Sequence, residues 1–317
     1  MNVWYDIFVK ALHEKYPQKS ELTEALMDLL SIEREAAYRR LRKDVMFAAE
    51  EVFKIASAWN ISLDEIVGGN SKQVFFRAQL LNYVNSSKEE IESMERIIKW
   101  CKSLENVPDL EYLEACNKIP RSLTAGFPCL RKLQLLRWMY RSTPEEVVSF
   151  SQINFQPAVA KLSSDYYRSI KNLAQTVYIW DYMLFNNVIS DIRYFHSIYL
   201  ITDEEKELLK HELHTFLDYM SKVADRGCWP ETEKQVQLYI SHINIDTNYS
   251  YFYSKDVKLC IVHAFVKNEI YTGNSIMVED FKKWMQSKKR SSILISEADD
   301  KSRIDYFKKQ HQLVDEL

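Results

Sequence analysis

Five side chains with cationic, anionic and phenolic groups share one side of a predicted helix near the start of the chain. Arg34, Tyr38 and Arg42 are four residues apart and form one stripe, which Glu35 and Arg39 widen. Arginine forks, carboxylates and hydroxyls are groups that hydrogen-bond to base edges and to phosphates. The stripe therefore predicts a helix, residues 33–42, that contacts double-stranded DNA. Arg39 and Arg42 are the first candidates for base or phosphate contact.

The opposite side of the same helix is small and apolar. Ala37 and Leu41 are four residues apart, so they lie on the face turned away from the stripe. The preceding segment repeats apolar residues with helical spacing, at Leu22, Ala25, Leu26, Leu29 and Leu30. Together the two segments predict a helical hairpin in which Ala36 and Ala37 allow a close approach.

Polar residues at the ends of these two helices complete the prediction. Ser20 is expected to cap the start of the first helix, and Ser31 the start of the second. Arg40 and Lys43 lie at the exit of the second helix, where we expect them to reach DNA phosphates.

Three more helices are predicted around the hairpin. One covers residues 3–12, and another covers 48–59, where apolar residues recur with helical spacing. The motif Ser62-Leu-Asp-Glu65 is a capping box that opens a short helix ending at Gly68-Gly69. The first seventy residues are therefore predicted to form a bundle of five helices.

This bundle resembles the phage-repressor type of helix-turn-helix domain over residues 4–68. Trp59-Asn-Ile-Ser-Leu-Asp-Glu-Ile-Val67 is similar to the usual ending of that family, a hydrophobic helix followed by a short capped one. The family usually has a small residue where Met27 stands, an apolar residue near Arg40, and often glycine near Lys43.

The resemblance implies a function for the first domain. It implies DNA contact by Arg34, Glu35, Tyr38, Arg39 and Arg42, with their helix in the major groove. With its long C-terminal region, the whole chain resembles bacterial transcriptional regulators of Bacteroides-like organisms. We therefore expect a repressor-like, sequence-specific DNA-binding regulator.

The charge of this domain limits how it could bind. Residues 1–70 hold nine Lys and Arg against twelve Asp and Glu, and the whole chain has a net charge of −3. Strong non-specific DNA affinity comes from neutralised phosphates, so one module should bind weakly. We expect a homodimer that links two modules. The alternative is a helical protein-interaction scaffold in which the N-terminal bundle is purely structural.

Length and composition indicate two folded domains. The 317 residues include 46% hydrophobic residues and only five glycines, which favours long helices. We predict a DNA-binding domain over 1–70 and an effector, dimerisation or interaction domain over 71–317.

The chain shows no apolar stretch of membrane-spanning length and no signal-peptide pattern, and its five cysteines form no CxxC pair. We expect a cytoplasmic protein.

The second domain is predicted to be largely helical with a small α+β ending. Helices are expected over 87–104, 158–180, 182–200 and 203–224, and the last has a capping box, Thr202-Asp-Glu-Glu205, and a stop at Gly227. Alternating and β-branched segments at 236–245, 249–253 and 259–266 predict an antiparallel meander. A helix at 278–288, a strand at 293–296 and a helix at 302–314 follow. The predicted fold class is therefore mainly α.

Signals for catalysis are weak in this domain. His211 and His214 are three residues apart, whereas zinc proteases space the two histidines by four, and no third ligand is identifiable. His242 and His263 lie on predicted strands, where we expect histidines that are hydrogen-bonded in or near the sheet; the alternative is that they face each other or a pocket. No phosphate-cradling glycine loop or nucleophile elbow occurs. We expect no metal, no cofactor and no enzyme activity; an enzyme in the α+β ending is the third alternative.

Aromatic residues are dense between 166 and 199. They include Tyr166, Tyr178, Trp180, Phe185 and Tyr194. Such density suits a core, an apolar ligand pocket or a dimer surface.

Overall fold

The chain folds into two units. The computed structural model describes residues 3–59, 61–67, 74–79, 88–142, 148–264, 268–297 and 300–317. By its internal contacts the chain divides into Met1–Phe75 and Phe76–Leu317, while the sequence prediction placed a boundary at about residue 70. Gly68-Gly69, the predicted end of the fifth helix, and Ser87, the first residue of the predicted helix 87–104, lie outside the described residues. Over the described ranges, no helix has the length and apolar character needed to cross a membrane.

Over its described residues, the first unit is a bundle of five helices, which confirms the predicted helix order. They are α1 (Val3–Lys15), α2 (Lys19–Leu30), α3 (Arg34–Leu41), α4 (Ala49–Trp59) and α5 (Leu63–Val67). Every one of them contributes apolar side chains to a single core, for example Phe8, Leu26, Ala37, Ile55 and Ile66. The apolar faces of the five helices thus pack together into one small core.

The predicted caps Ser20 and Ser31 are wrong in this unit. Lys19 begins α2, so Ser20 lies inside the helix and Gln18 occupies the N-cap position without a side-chain hydrogen bond. Ser31 ends α2 instead of starting α3: its φ of 54° is left-handed, and its backbone N–H donates to the Met27 carbonyl. This is the usual way in which a left-handed residue closes a helix C-terminus. Glu33 occupies the N-cap of α3.

The second unit is built on a sheet of eight strands. They are β1 (Arg77–Gln79), β2 (Glu111–Cys116), β3 (Gln175–Asp181), β4 (Gln235–Ser241), β5 (Tyr249–Tyr253), β6 (Lys258–Ala264), β7 (Asn268–Thr272) and β8 (Ser292–Leu294). Their order is β1-β7-β6-β5-β2-β3-β4-β8. The neighbours β2, β3 and β4 run parallel, and every other pairing is antiparallel.

The prediction of a small, purely antiparallel sheet is therefore wrong. The predicted helix 158–180 is a helix, Pro157–Lys171, followed by the strand β3. Six of the seven residues of β3 are buried, because helices pack on both faces of the sheet. A strand buried on both faces lacks the alternation that marks a strand in sequence.

The predicted antiparallel meander is only partly confirmed. Strands β5 and β6 are consecutive antiparallel neighbours, as expected, and β7, which was not predicted, continues the antiparallel pairing. The predicted pairing of β4 with β5 is wrong, because β4 pairs with β3 and β5 pairs with β2. The turn at Asp246-Thr-Asn248 consequently carries the chain across two strands and places these polar residues at one edge of the sheet.

Helices pack on both faces of the sheet. They are α6 (Lys88–Leu104), α7 (Arg121–Thr124), α8 (Pro128–Ser142), α9 (Pro157–Lys171), α10 (Leu184–Ser197), α11 (Asp203–Arg226), α12 (Ser275–Lys288) and α13 (Asp300–Asp315). The larger core joins one sheet face to α8, α10, α11 and α13, and the smaller core joins the other face to α12. The unit is thus layered helix, sheet, helix.

Helix α11 confirms two predicted end signals. The Thr202 hydroxyl accepts from the Glu205 N–H while the Glu205 carboxylate accepts from the Thr202 N–H, which is a complete capping box. Gly227 ends the helix with a left-handed φ of 65°.

The dense aromatic segment is mostly core. Tyr178, Trp180 and Phe185 are fully buried, and Trp180 stacks on Phe216 of α11 with ring centroids 6.1 Å apart. Tyr194 is exposed, at the surface of α10.

Candidate functional site

Helix α3 has one buried face and one exposed face. Ala37 is fully buried against the core of the first unit, as the hairpin prediction required. Arg34, Glu35 and Arg39 are exposed, and Tyr38 is half-buried. Arg39 forms no ion pair with any residue that the structure describes. The structure thus brings the predicted stripe together on the side of α3 opposite Ala37.

The other two arginines of the stripe form surface ion pairs. Arg34 Nη2 lies 3.5 Å from Glu24 Oε1 of α2. Arg42, at the C-cap of α3, lies 3.0 Å from Glu35 and 3.2 Å from Asp44. All five side chains are exposed, so each pair contributes about 0–1 kcal/mol and can be exchanged for another anion.

Arg40 has a different position from its neighbours. Its guanidinium donates twice to Glu51, at 3.0 and 2.8 Å, and once to the Ala36 carbonyl at 3.2 Å. Only 18% of its side chain is exposed, and it lies 5.9 Å from the centre of the Phe47 ring. The structure therefore separates Arg40 from the exposed stripe, because its donors are used to join α3 to α4.

Lys43 lies just beyond α3 in a left-handed conformation, with φ of 69°. Glycine adopts such a φ without strain, and it is the residue most often found just past the end of a helix. The Lys43 ammonium pairs with the Asp6 carboxylate of α1. Lys43 is thus at the edge of the predicted interface, with its charge already partnered.

A second candidate site is a polar cavity in the other unit. It has a volume of about 240 Å³ and lies where β2 ends, next to the start of β5 and the end of β6. Side chains from β2, the segment after it, α8 and the turn before β5 line it. Ligands of open α/β sheets bind outside the carboxyl ends of parallel strands, and this cavity is at such an edge.

Glu114 is the buried carboxylate of this cavity. Its Oε2 accepts hydrogen bonds from Tyr112 at 2.6 Å and Ser122 at 3.2 Å, and its Oε1 accepts from Asn248 at 3.4 Å. His263 Nε2 lies 4.0 Å from Oε1. Burial raises the pKa of Glu114, although the charge of His263 and these hydrogen bonds oppose the increase.

Four cations line the same cavity, and one of them, Arg121 of α7, pairs with Glu269 of β7. Arg137 and Arg141 are four residues apart on one face of α8, and Lys118 follows β2. Arg137 Nη1 lies 2.6 Å from Asp191 of α10. We refer to Lys118, Arg137 and Arg141 as the cationic cluster.

Sequence reasoning missed this cavity, apart from the suggestion that His263 faces a pocket. The signals were present but weak. Glu114 is a charged residue inside an otherwise apolar strand, and Gln134, Arg137 and Arg141 repeat at helical spacing. Only the strand order reveals that these residues meet Asn248 and His263, which come more than a hundred positions later.

His211 and His214 share no binding partner among the described residues. His214 Nδ1 lies 2.7 Å from Nδ1 of His311 on α13, and the two rings stack with centroids 5.0 Å apart. Asp315 and Asp218 flank the pair, at 3.2 and 3.3 Å from His214 and His311. Within the described ranges, no group of three or more His, Cys, Asp or Glu is arranged to hold a metal ion.

Comparison with models of protein families, with characterised proteins and with solved structures finds no match to this chain. The two sites are therefore interpreted from their own geometry and chemistry.

Proposed function

We propose that this protein is a sequence-specific, DNA-binding transcriptional regulator that inserts α3 into the major groove. The observation that carries the proposal is the two-sided character of α3: Ala37 is fully buried, and Arg34 and Arg39 are exposed on the other side. A helix that is anchored by a small residue and displays arginines is what groove reading requires.

Each residue of the stripe has a role in this proposal. The N-terminal residues of a recognition helix contact base edges, which suits Arg34, Glu35 and Tyr38. Arg39 and Arg42 contact bases or phosphates, because their guanidinium groups are exposed and either unpaired within the described residues or held only by surface ion pairs. In this proposal Arg40 has a structural role, since its guanidinium donates to Glu51.

The acidic balance of the first unit requires more than one copy. A module with twelve carboxylates against nine cations over residues 1–70 neutralises few phosphates. Linking two modules raises the affinity without any new contact. We therefore propose a cytoplasmic homodimer that binds two half-sites.

The test is selection of bound sequences from random DNA, followed by titration of variants against the best site. Arg39→Ala combined with Arg42→Ala should abolish specific binding, because each lost base contact costs roughly 1–3 kcal/mol. The matched control is Lys10→Ala with Lys54→Ala, which removes two exposed cations from α1 and α4. An unchanged affinity in the Arg39 and Arg42 variant, or an equal loss in the control, would refute the assignment.

A protein-interaction scaffold is the second candidate function. The carboxylates around α3 favour it, since Glu33, Glu35 and Asp44 lie beside the arginines and oppose a DNA backbone. The same selection separates the two: a scaffold would enrich no DNA sequence at all.

A further inference from the structure

The cationic cluster carries more positive charge than its surroundings balance. Lys118, Arg137 and Arg141 face the cavity, and Asp191 is the carboxylate that pairs with this group, through Arg137. Arg121 pairs with Glu269, so with Glu114 ionised the cavity has four cations against three carboxylates, an excess of one positive charge.

Two further observations show that this excess is not neutralised inside the protein. Only 8% of the Arg137 side chain is exposed, and its Nε is buried without a hydrogen-bond partner among the described residues. Burial, followed by repulsion from Arg137 and Arg141, lowers the pKa of Lys118 to about 8, although Asp191 opposes the decrease. A buried donor without a partner and a cation under repulsion are both stabilised by an anion.

The remaining wall of the cavity offers hydrogen-bond acceptors. Glu114 Oε2 is shared by two protein hydroxyls, whereas Oε1 has only the long contact from Asn248 at 3.4 Å and His263 at 4.0 Å. This carboxylate oxygen can accept from a ligand hydroxyl. A carboxylate that binds sugar hydroxyls next to cations that bind a phosphate is a chemically complementary pair of groups.

We propose that the cavity binds a small sugar phosphate or phosphorylated polyol, with its phosphate among Lys118, Arg137 and Arg141 and a hydroxyl on Glu114. The three cations of the cluster can donate to the several oxygens of one phosphate group, whereas a carboxylate has only two oxygens to share among them. Drug-sized ligand sites span about 300–1,000 Å³. At about 240 Å³, this cavity suits a ligand smaller than a nucleotide. The proposal is independent of DNA binding by the first unit.

The test is calorimetric titration of the full chain with ribose 5-phosphate, inorganic phosphate and ribose as probes. Both phosphates should bind, ribose 5-phosphate about tenfold or more tightly than inorganic phosphate, and ribose should give no signal. Arg141→Gln should weaken both phosphates by roughly tenfold or more, because it removes a charged hydrogen-bond donor. Arg141 is exposed, so this variant should fold normally, which its melting temperature checks.

Two further variants make the test specific. Arg168→Gln removes an exposed arginine of α9 outside the cavity and should leave every affinity unchanged. Glu114→Gln preserves the shape of the side chain and should reduce the preference for ribose 5-phosphate over inorganic phosphate. The proposal is overturned if neither phosphate binds at about 10 mM, if Arg141→Gln binds like the unaltered chain, or if Arg168→Gln weakens binding equally. An unchanged preference in Glu114→Gln would overturn the assignment of a sugar hydroxyl to that carboxylate.

Discussion

Adjacent residues of α3 have opposite roles. Arg39 is exposed, and Arg40 is bound to Glu51 and largely buried. Consecutive residues of a helix point about 100° apart, so a difference of one position separates a surface arginine from a structural one. The two side chains are chemically identical, and only the packing of α3 on α4 distinguishes them.

Arg40→Ala should therefore destabilise the first unit. The change removes the cationic partner of the half-buried Glu51 carboxylate, which should lower the free energy of unfolding by roughly 2 kcal/mol. Arg39→Ala should change it by less than about 0.5 kcal/mol, since it removes an exposed side chain. Urea denaturation of both variants measures this difference. Equal losses of unfolding free energy would show that the ion pair between Arg40 and Glu51 does not stabilise the unit.

The pH dependence gives a second readout of the same ion pair. Burial alone would raise the pKa of Glu51, but the hydrogen bonds and charge of Arg40 outweigh it, so the pKa lies below its ordinary value of 4.5. Such a group stabilises the fold above the unfolded-state pKa, and this contribution is lost as the pH falls through the lower, folded-state pKa. The gap in stability between the unaltered chain and Arg40→Ala should accordingly shrink below a pH of about 4.5.

At the scale of elements, the close approach of α2 and α3 depends on one small residue. Ala37→Glu should unfold the first unit, because it forces an unpaired charge into a fully buried position. The cost is comparable to the whole stability of a small domain, roughly 5 kcal/mol or more. Ala58→Glu, at an exposed position of α4, is the matched control and should melt normally. Circular dichroism measures the helix content and thermal unfolding of both variants. Equal melting of the two would show that Ala37 does not lie in the core.

The elements that the sequence predicted correctly have local signals. The five helices of the first unit follow apolar periodicity, and the ends of α11 follow from Thr202, Glu205 and Gly227. The parallel strands β2 and β3 lack such a signal, since their residues are buried on both faces. Their pairing depends on contacts between segments more than sixty residues apart, which no local pattern encodes.

The two candidate sites differ in the same way. The stripe on α3 belongs to one helix, so its spacing in the sequence already places Arg34, Tyr38 and Arg42 together. The cavity depends on β2, α8 and the turn before β5, so Glu114, Arg137 and Asn248 meet only through the sheet order. A site on one element is predictable from its periodicity, whereas a site shared by several elements requires the topology.

At the scale of the whole molecule, each unit has its own hydrophobic core. The first core contains residues up to Ile66, and the two cores of the second unit begin with Leu104 and Leu113. Separate cores predict separate folding, because each unit buries its own apolar surface.

This separation leads to a prediction about the division of function. Residues 1–75 alone should unfold cooperatively and remain monomeric, yet bind a selected DNA site at least about tenfold more weakly than the full chain, because a lone acidic module loses the gain from linkage. Residues 76–317 alone should be dimeric, retain ribose 5-phosphate binding and bind no DNA. Sedimentation of both fragments and titration against one DNA site measure these properties. A short fragment that binds DNA as tightly as the whole chain, or a monomeric long fragment, would show that pairing is not a function of the second unit and would limit that unit to ligand binding.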